Sequence, residues 1–155
     1  MNILFFDFDG VLASWEDWSS YDKNNSKLID KISNNKIRFI NKLLKDNEIN
    51  AAFFPISSWS YVFRDKDILD SWLKDMNLTN FYSFNGIGSH YYSGNNRGEF
   101  IKKILSDNKI KNYVILDDEE HENEYNGLNF IKTDMYNGIL YDNIVSLNEY
   151  INNWK

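Results

Sequence analysis

Two aspartates, Asp7 and Asp9, follow the apolar run Ile3-Leu4-Phe5-Phe6 and lead straight into Gly10. With one residue between them, both carboxylates can stay near one bound group while Phe8 points elsewhere, and Gly10 lets the backbone leave sharply. A bare Asp-x-Asp-Gly would as readily be an acidic surface turn; the run before it changes the reading. Asn2 to Phe6 has the length and composition of a strand buried inside a parallel sheet. Open α/β sheets place their ligands at the carboxyl ends of such strands, so Asp7 is expected at the mouth of an active site.

The segment Asp7-Phe8-Asp9-Gly10-Val11-Leu12 resembles the first motif of the haloacid dehalogenase (HAD) superfamily, whose members are mostly Mg²⁺-dependent phosphatases working through an aspartyl-phosphate. The resemblance implies three further motifs in order. A hydroxyl at the end of a second apolar strand is supplied by Ser57, with Ser58 beside it, in Ala51-Ala52-Phe53-Phe54-Pro55-Ile56-Ser57-Ser58-Trp59. A cation near a helix start is supplied by Arg97, ahead of a helical face made by Ile101, Ile104 and Leu105. Lys102 and Lys103 compete for that role but lie inside the helix. One or two acids after a third strand are supplied by Asp117 and Asp118, which come directly after Tyr113-Val114-Ile115-Leu116.

The chemistry that the resemblance implies is specific. Phosphoryl transfer asks mainly for positioning and charge neutralisation, because a carboxylate must approach an anionic phosphate. Asp7 would attack phosphorus while Asp9 gives a proton to the leaving oxygen and later acts as base on water. Mg²⁺ would be held by the carboxylates of Asp7 and of Asp117 or Asp118, with the backbone carbonyl of Asp9 as a further ligand. Ser57, Ser58 and Arg97 would hold the phosphoryl oxygens.

Each motif has an ordinary structural reading as well. Serines end many strands. A cation at a helix start is mildly disfavoured by the helix dipole, which argues for a functional reason at Arg97. Glu119 to Glu122 read as a solvated acidic loop, as most charge runs do. His90 and His121 have no metal-ligand spacing and are left outside the catalytic set, while Tyr91 and Tyr92 are candidates to face a substrate.

Local wording, including Arg97-Gly98-Glu99-Phe100-Ile101 and the late Gly138-Ile139-Leu140, resembles the small HAD domains of RNA-repair proteins and polynucleotide 3′-phosphatases. That resemblance implies a nucleotide or polynucleotide 3′-phosphate as substrate; small metabolites or phosphoproteins, and a noncatalytic binding module on the same fold, are the alternatives. Here Trp59 is followed by Ser60 and Tyr61, where members of that group usually carry an Arg directly after the Trp, and Arg64 comes some way on.

Composition sets the frame. A chain of 155 residues with 43% apolar residues is long enough for one well-buried domain, expected to span 1–155. The absence of Cys suits a reducing compartment, and no apolar run reaches membrane-spanning length, so a cytoplasmic protein is expected. A net charge of −6 argues against broad nonspecific nucleic-acid binding, which needs Lys and Arg to release counterions. Trp15, Trp18 and Tyr21 precede a basic stretch of Lys23, Lys27, Lys31, Lys36 and Arg38; they would either stack a base or, the weightier reading, pack their loop onto the body.

The elements that must position these residues alternate. A polar loop from Ala13 to Asn35 should lead to a helix with Ile37, Ile40, Leu43 and Leu44 on one face. Pro55 conflicts with a central strand. Asp67 should open a helix, Phe81 to Phe84 a short strand, and residues 85–96 an aromatic loop. Leu128 to Ile131 reads as an edge strand, and Ile144, Leu147 and Ile151 as the face of a last helix bordered by Tyr150 and Trp154. The expected fold is α/β: a HAD-like Rossmannoid three-layer sandwich with a mostly parallel central sheet. Only about forty residues separate the first motif from the second and the second from the third, which leaves no room for a large cap domain and predicts an open site.

Overall fold

In the computed structural model, the residues described are 2–19, 32–49, 51–56, 96–118 and 125–154. Strands β1 (Asn2–Phe6), β2 (Ala51–Pro55), β3 (Asn112–Asp117) and β4 (Phe130–Lys132) form a sheet in the order β2-β1-β3-β4, every pairing parallel. The central position of β1 explains its composition. Strands flank it on both sides and helices cover both faces, so all of Ile3 to Phe6 is buried.

The period of two then divides the core. Leu4 and Phe6 point into a cluster with Ile37, Ile40 and Leu44 of α2 (Asn34–Asp46) and Leu147 and Ile151 of the last helix, Tyr141–Asn152. Ile3 and Phe5 point the other way, onto Ile101 and Ile104 of the helix Arg97–Asp107. With a short α1 (Trp15–Ser19) preceding α2, these two helices are α3 (Arg97–Asp107) and α4 (Tyr141–Asn152). Helices on both faces of a parallel sheet make the three-layer α/β sandwich that the alternating pattern predicts, and the described residues contain no cap domain.

Three expectations are corrected. The polar stretch after Ala13 is not all loop, because α1 begins at Trp15. Ser14 and Asp17 cap it reciprocally: the Ser14 N–H and hydroxyl donate to Asp17 Oδ2 at 2.8 and 2.6 Å, and the Asp17 N–H reaches back to Ser14 Oγ. Trp15 does not pack this segment onto the body, being 63% exposed. The edge strand also starts later than Leu128. Gly127, at φ 77°, closes a turn in which the Leu128 N–H donates to the Tyr125 carbonyl at 2.9 Å, so pairing with β3 begins at Phe130.

Pro55 is accommodated without a bulge. It pairs with Phe6 as the last residue of β2. Because the next N–H, that of Ile56, donates to Phe6 at 2.8 Å, the missing donor of Pro55 falls on the side of β2 away from β1.

Candidate active site

The parallel ladder brings the carboxyl ends of β1 and β3 together. Phe6 pairs with Leu116, and the Asp7 N–H continues the ladder to the Leu116 carbonyl at 3.0 Å. Asp7 and Asp117 therefore stand side by side, both buried, Asp117 completely. Oxygens of Asp7, Asp117 and Asp118 all lie within 4.8 Å of one another. The carboxylate of Asp9 stands outside that group.

Burying carboxylates is costly unless they gain partners. Arg97 supplies them: its Nη1 donates to Asp7 Oδ2 at 2.9 Å and to Asp117 Oδ2 at 2.7 Å. Arg97 is the first residue of α3, and the preceding Asn96 caps the helix by accepting from the Glu99 N–H at 3.1 Å. A cation is misplaced at this end of a helix unless acids answer it, and here two do. Lys102 points elsewhere, to Glu99 on the surface at 2.8 Å. Gly98, the next residue, is buried.

The turn after β1 is held just as closely. The Phe8 N–H donates to Asp7 Oδ1 at 2.6 Å. Leu12 and Ala13 N–H groups both return to the Phe8 carbonyl, and Gly10 donates to Ala13 at 3.0 Å, so Asp9 and Gly10 sit at the tip of a tight loop. Gly10 has φ 65°, and a Cβ there would collide with the carboxylate of Asp118. Glycine is thus required twice over, by conformation and by the close approach of the acid.

Two residues outside the four motifs complete the frame. Thr133, just past β4, donates its hydroxyl to the Gly10 carbonyl at 2.6 Å while its N–H binds the Asp117 carbonyl at 2.9 Å, tying the loop after β1 to the acidic end of β3. Tyr125 donates its hydroxyl to Asp117 Oδ2 at 2.6 Å. Neither carries a motif signal: Thr133 acts through a contact 123 residues away, and Tyr125 through one 8 residues away that follows no helical or strand period. The Gly138-Ile139-Leu140 segment also acquires a position: Gly138 closes a turn at φ 72°, and Ile139 donates to the Val11 carbonyl at 3.0 Å.

Of the basic stretch, Lys36 is engaged within the protein, donating to Asp17 Oδ2 at 2.7 Å and to Ser14 Oγ at 2.8 Å. Burial pushes the Asp17 carboxyl up, but the hydrogen bonds from Lys36 and Ser14 outweigh it and hold the group below its ordinary value. Arg38 is exposed on α2. Ser57, Ser58, Tyr21, Lys23, Lys27, Lys31, Tyr91, Tyr92, His90, His121 and Glu119 to Glu122, with the expected helix from Asp67, strand at 81–84 and loop at 85–95, lie outside the described residues.

Three clustered carboxylates on rigid strand ends are the donor set of a hard, oxygen-seeking divalent cation such as Mg²⁺. Such a cluster, beside an Asp-x-Asp-Gly turn at the carboxyl edge of a parallel sheet, defines a HAD-type domain. Residues 3–144 match the family described as HAD domain in Swiss Army Knife RNA repair proteins, and the chain belongs to that family. No curated protein and no solved structure matches the chain. Among the described residues, no helix is long and apolar enough to cross a membrane.

Proposed function

We propose that this chain is a phosphomonoester hydrolase acting through an aspartyl-phosphate on Asp7, with the 3′-phosphate end of a nucleotide or polynucleotide as substrate. The observation that carries the reading is Arg97 Nη1 reaching Asp7 and Asp117 at once, with Asp118 alongside. A structural ion pair needs one acid; a nucleophile that must meet a phosphate needs this excess of acids and a shared cation. Family membership in RNA repair supports the substrate class.

Asp7 attacks phosphorus, the bond from phosphorus to the ester oxygen breaks, and Asp9 delivers its proton to that oxygen, leaving a hydroxyl. Water then attacks the phosphoryl group as Asp9 takes the water proton, the bond to Asp7 breaks, and phosphate leaves with both aspartates restored. Arg97 and the hydroxyls of Ser57 and Ser58 hold the phosphoryl oxygens. Mg²⁺, held by Asp7, Asp117, Asp118 and the Asp9 backbone carbonyl, would supply neutralisation of the charge between nucleophile and phosphate. The domain spans 1–155 and works in the cytoplasm.

The test is phosphate release from a 3′-phosphorylated oligonucleotide, a 3′-mononucleotide, a phosphopeptide and a generic aryl phosphate, each with and without Mg²⁺. Mg²⁺-dependent release favouring the oligonucleotide supports the reading. Preference for the phosphopeptide or for small phosphates replaces the substrate class, and release from none of the four leaves a binding module.

A further inference from the structure

Tyr125 belongs to none of the four motifs, yet it is the third member of the Asp117 interaction. Its hydroxyl donates to Asp117 Oδ2, the same oxygen that accepts from Arg97 Nη1. The side chain is 4% exposed and joins the core cluster of Ile3, Phe5, Ile101 and Ile115. Its ring lies against Phe130 with centroids 4.7 Å apart. The backbone is fixed as well, by the turn in which Leu128 donates to the Tyr125 carbonyl.

A carboxylate end group rotates with little preference about its last torsion, so burial alone does not set the direction in which its oxygens face. A hydroxyl on a locked ring does. Arg97 cannot do this by itself, because its guanidinium is shared with Asp7 and pulls both acids toward one point. Tyr125 approaches from the β4 side, from a chain segment that neither Arg97 nor Asp7 belongs to, and so holds the Asp117 plane from a second direction.

We propose that Tyr125 is a positioning residue for divalent-metal binding: it holds the Asp117 carboxylate in the orientation that lets it share an ion with Asp7 and Asp118. The inference rests on the metal-assisted reading above. Partners of ligating carboxylates in a metal's outer shell commonly set affinity by about 10–100-fold.

Mg²⁺ titration by calorimetry and Mn²⁺ titration by electron paramagnetic resonance, on wild type and Tyr125→Phe, test it. Phenylalanine keeps the ring on Phe130 and deletes only the hydroxyl. The dissociation constant is expected to rise about 10-fold, with stoichiometry unchanged and an altered Mn²⁺ spectrum. A merely structural role would lower the stoichiometry, through loss of folded protein, and leave the constant where it was; that result overturns the proposal. Phe130→Leu, which keeps the hydroxyl but loosens the ring, is expected to weaken binding by a smaller factor; if Tyr125→Phe does not fold, unchanged affinity in Phe130→Leu overturns the proposal. Equal affinity in Tyr125→Phe and wild type defeats the role of Tyr125 alone. A wild-type protein that binds neither ion defeats the metal-assisted reading together with it.

Discussion

Among the described residues, two ion networks look alike and differ in what they gather. At the foot of α1, Lys36 meets one acid, Asp17, and the Ser14 hydroxyl completes the arrangement. At the ends of β1 and β3, Arg97 is divided between Asp7 and Asp117, with Asp118 close by. The first matches charge with charge and pins a short helix. The second, among the described residues, sets three acids around one guanidinium, the arrangement on which the proposed metal and phosphate site rests.

The largest effect that would sharpen this contrast is at Asp7, the proposed nucleophile. Asp7→Asn is expected to reduce Mg²⁺-dependent phosphate release by roughly 10⁴-fold or more, while chemical denaturation shows stability equal to or above wild type, because one crowded acid has become neutral. Full activity in that variant would end the aspartyl-phosphate mechanism. Next, Arg97→Met leaves two buried acids without their shared guanidinium and is expected to cost about 3–5 kcal/mol of unfolding free energy. Saturating Mg²⁺ should restore part of that loss. If it restores nothing, the acids are not a metal site and the contrast between the two networks collapses.

Lys36→Met provides the matching measurement at the other network. Asp17 is partly solvated, so the expected cost is smaller, about 1–2 kcal/mol, and Mg²⁺ should not recover it. The smallest effect is one of pH. Because the folded Asp17 carboxyl lies below its ordinary value, its contribution is fully present above about 3.9 and is lost as pH falls through the lowered folded value. The stability difference between wild type and Asp17→Asn should therefore shrink from pH 5 toward pH 3 in urea titrations. A constant difference would remove Asp17 from the ion pair's account.

Much of the fold and site is legible in the sequence because the informative residues sit in continuous runs. Ile3 to Phe6 and Tyr113 to Leu116 announce buried strands, and the next residue along the chain must emerge at the strand's carboxyl end, which places Asp7 and Asp117 at one edge. The helix start at Arg97 is equally local. The first turn of α1 also has a signal, although the polar stretch around it reads as loop: Ser14-Trp15-Glu16-Asp17 has the spacing of a capping box. Gly127 marks a turn before β4 that outweighs the apolar residues after it. Tyr125 and Thr133 are not legible by any local rule. The Thr133 hydroxyl meets Gly10, 123 residues away, and the Tyr125 hydroxyl meets Asp117 only 8 residues away, but at a spacing that belongs to no helical or strand period. The hydroxyl motif at Ser57 and Ser58 lies outside the described residues.

The place of β1 between β2 and β3 has a further consequence, in time rather than in space. Of the four described strands, the earliest in the chain is the one the other parts of the site are built onto, since Arg97 lies 90 residues beyond Asp7, and Asp117 another 20 beyond Arg97. The two ladders of β1 each close a long loop before their contacts can reward it, which favours slow folding. A growing chain therefore makes Asp7 well before its partners, and the acids and their cation come together only after residue 117 has been made.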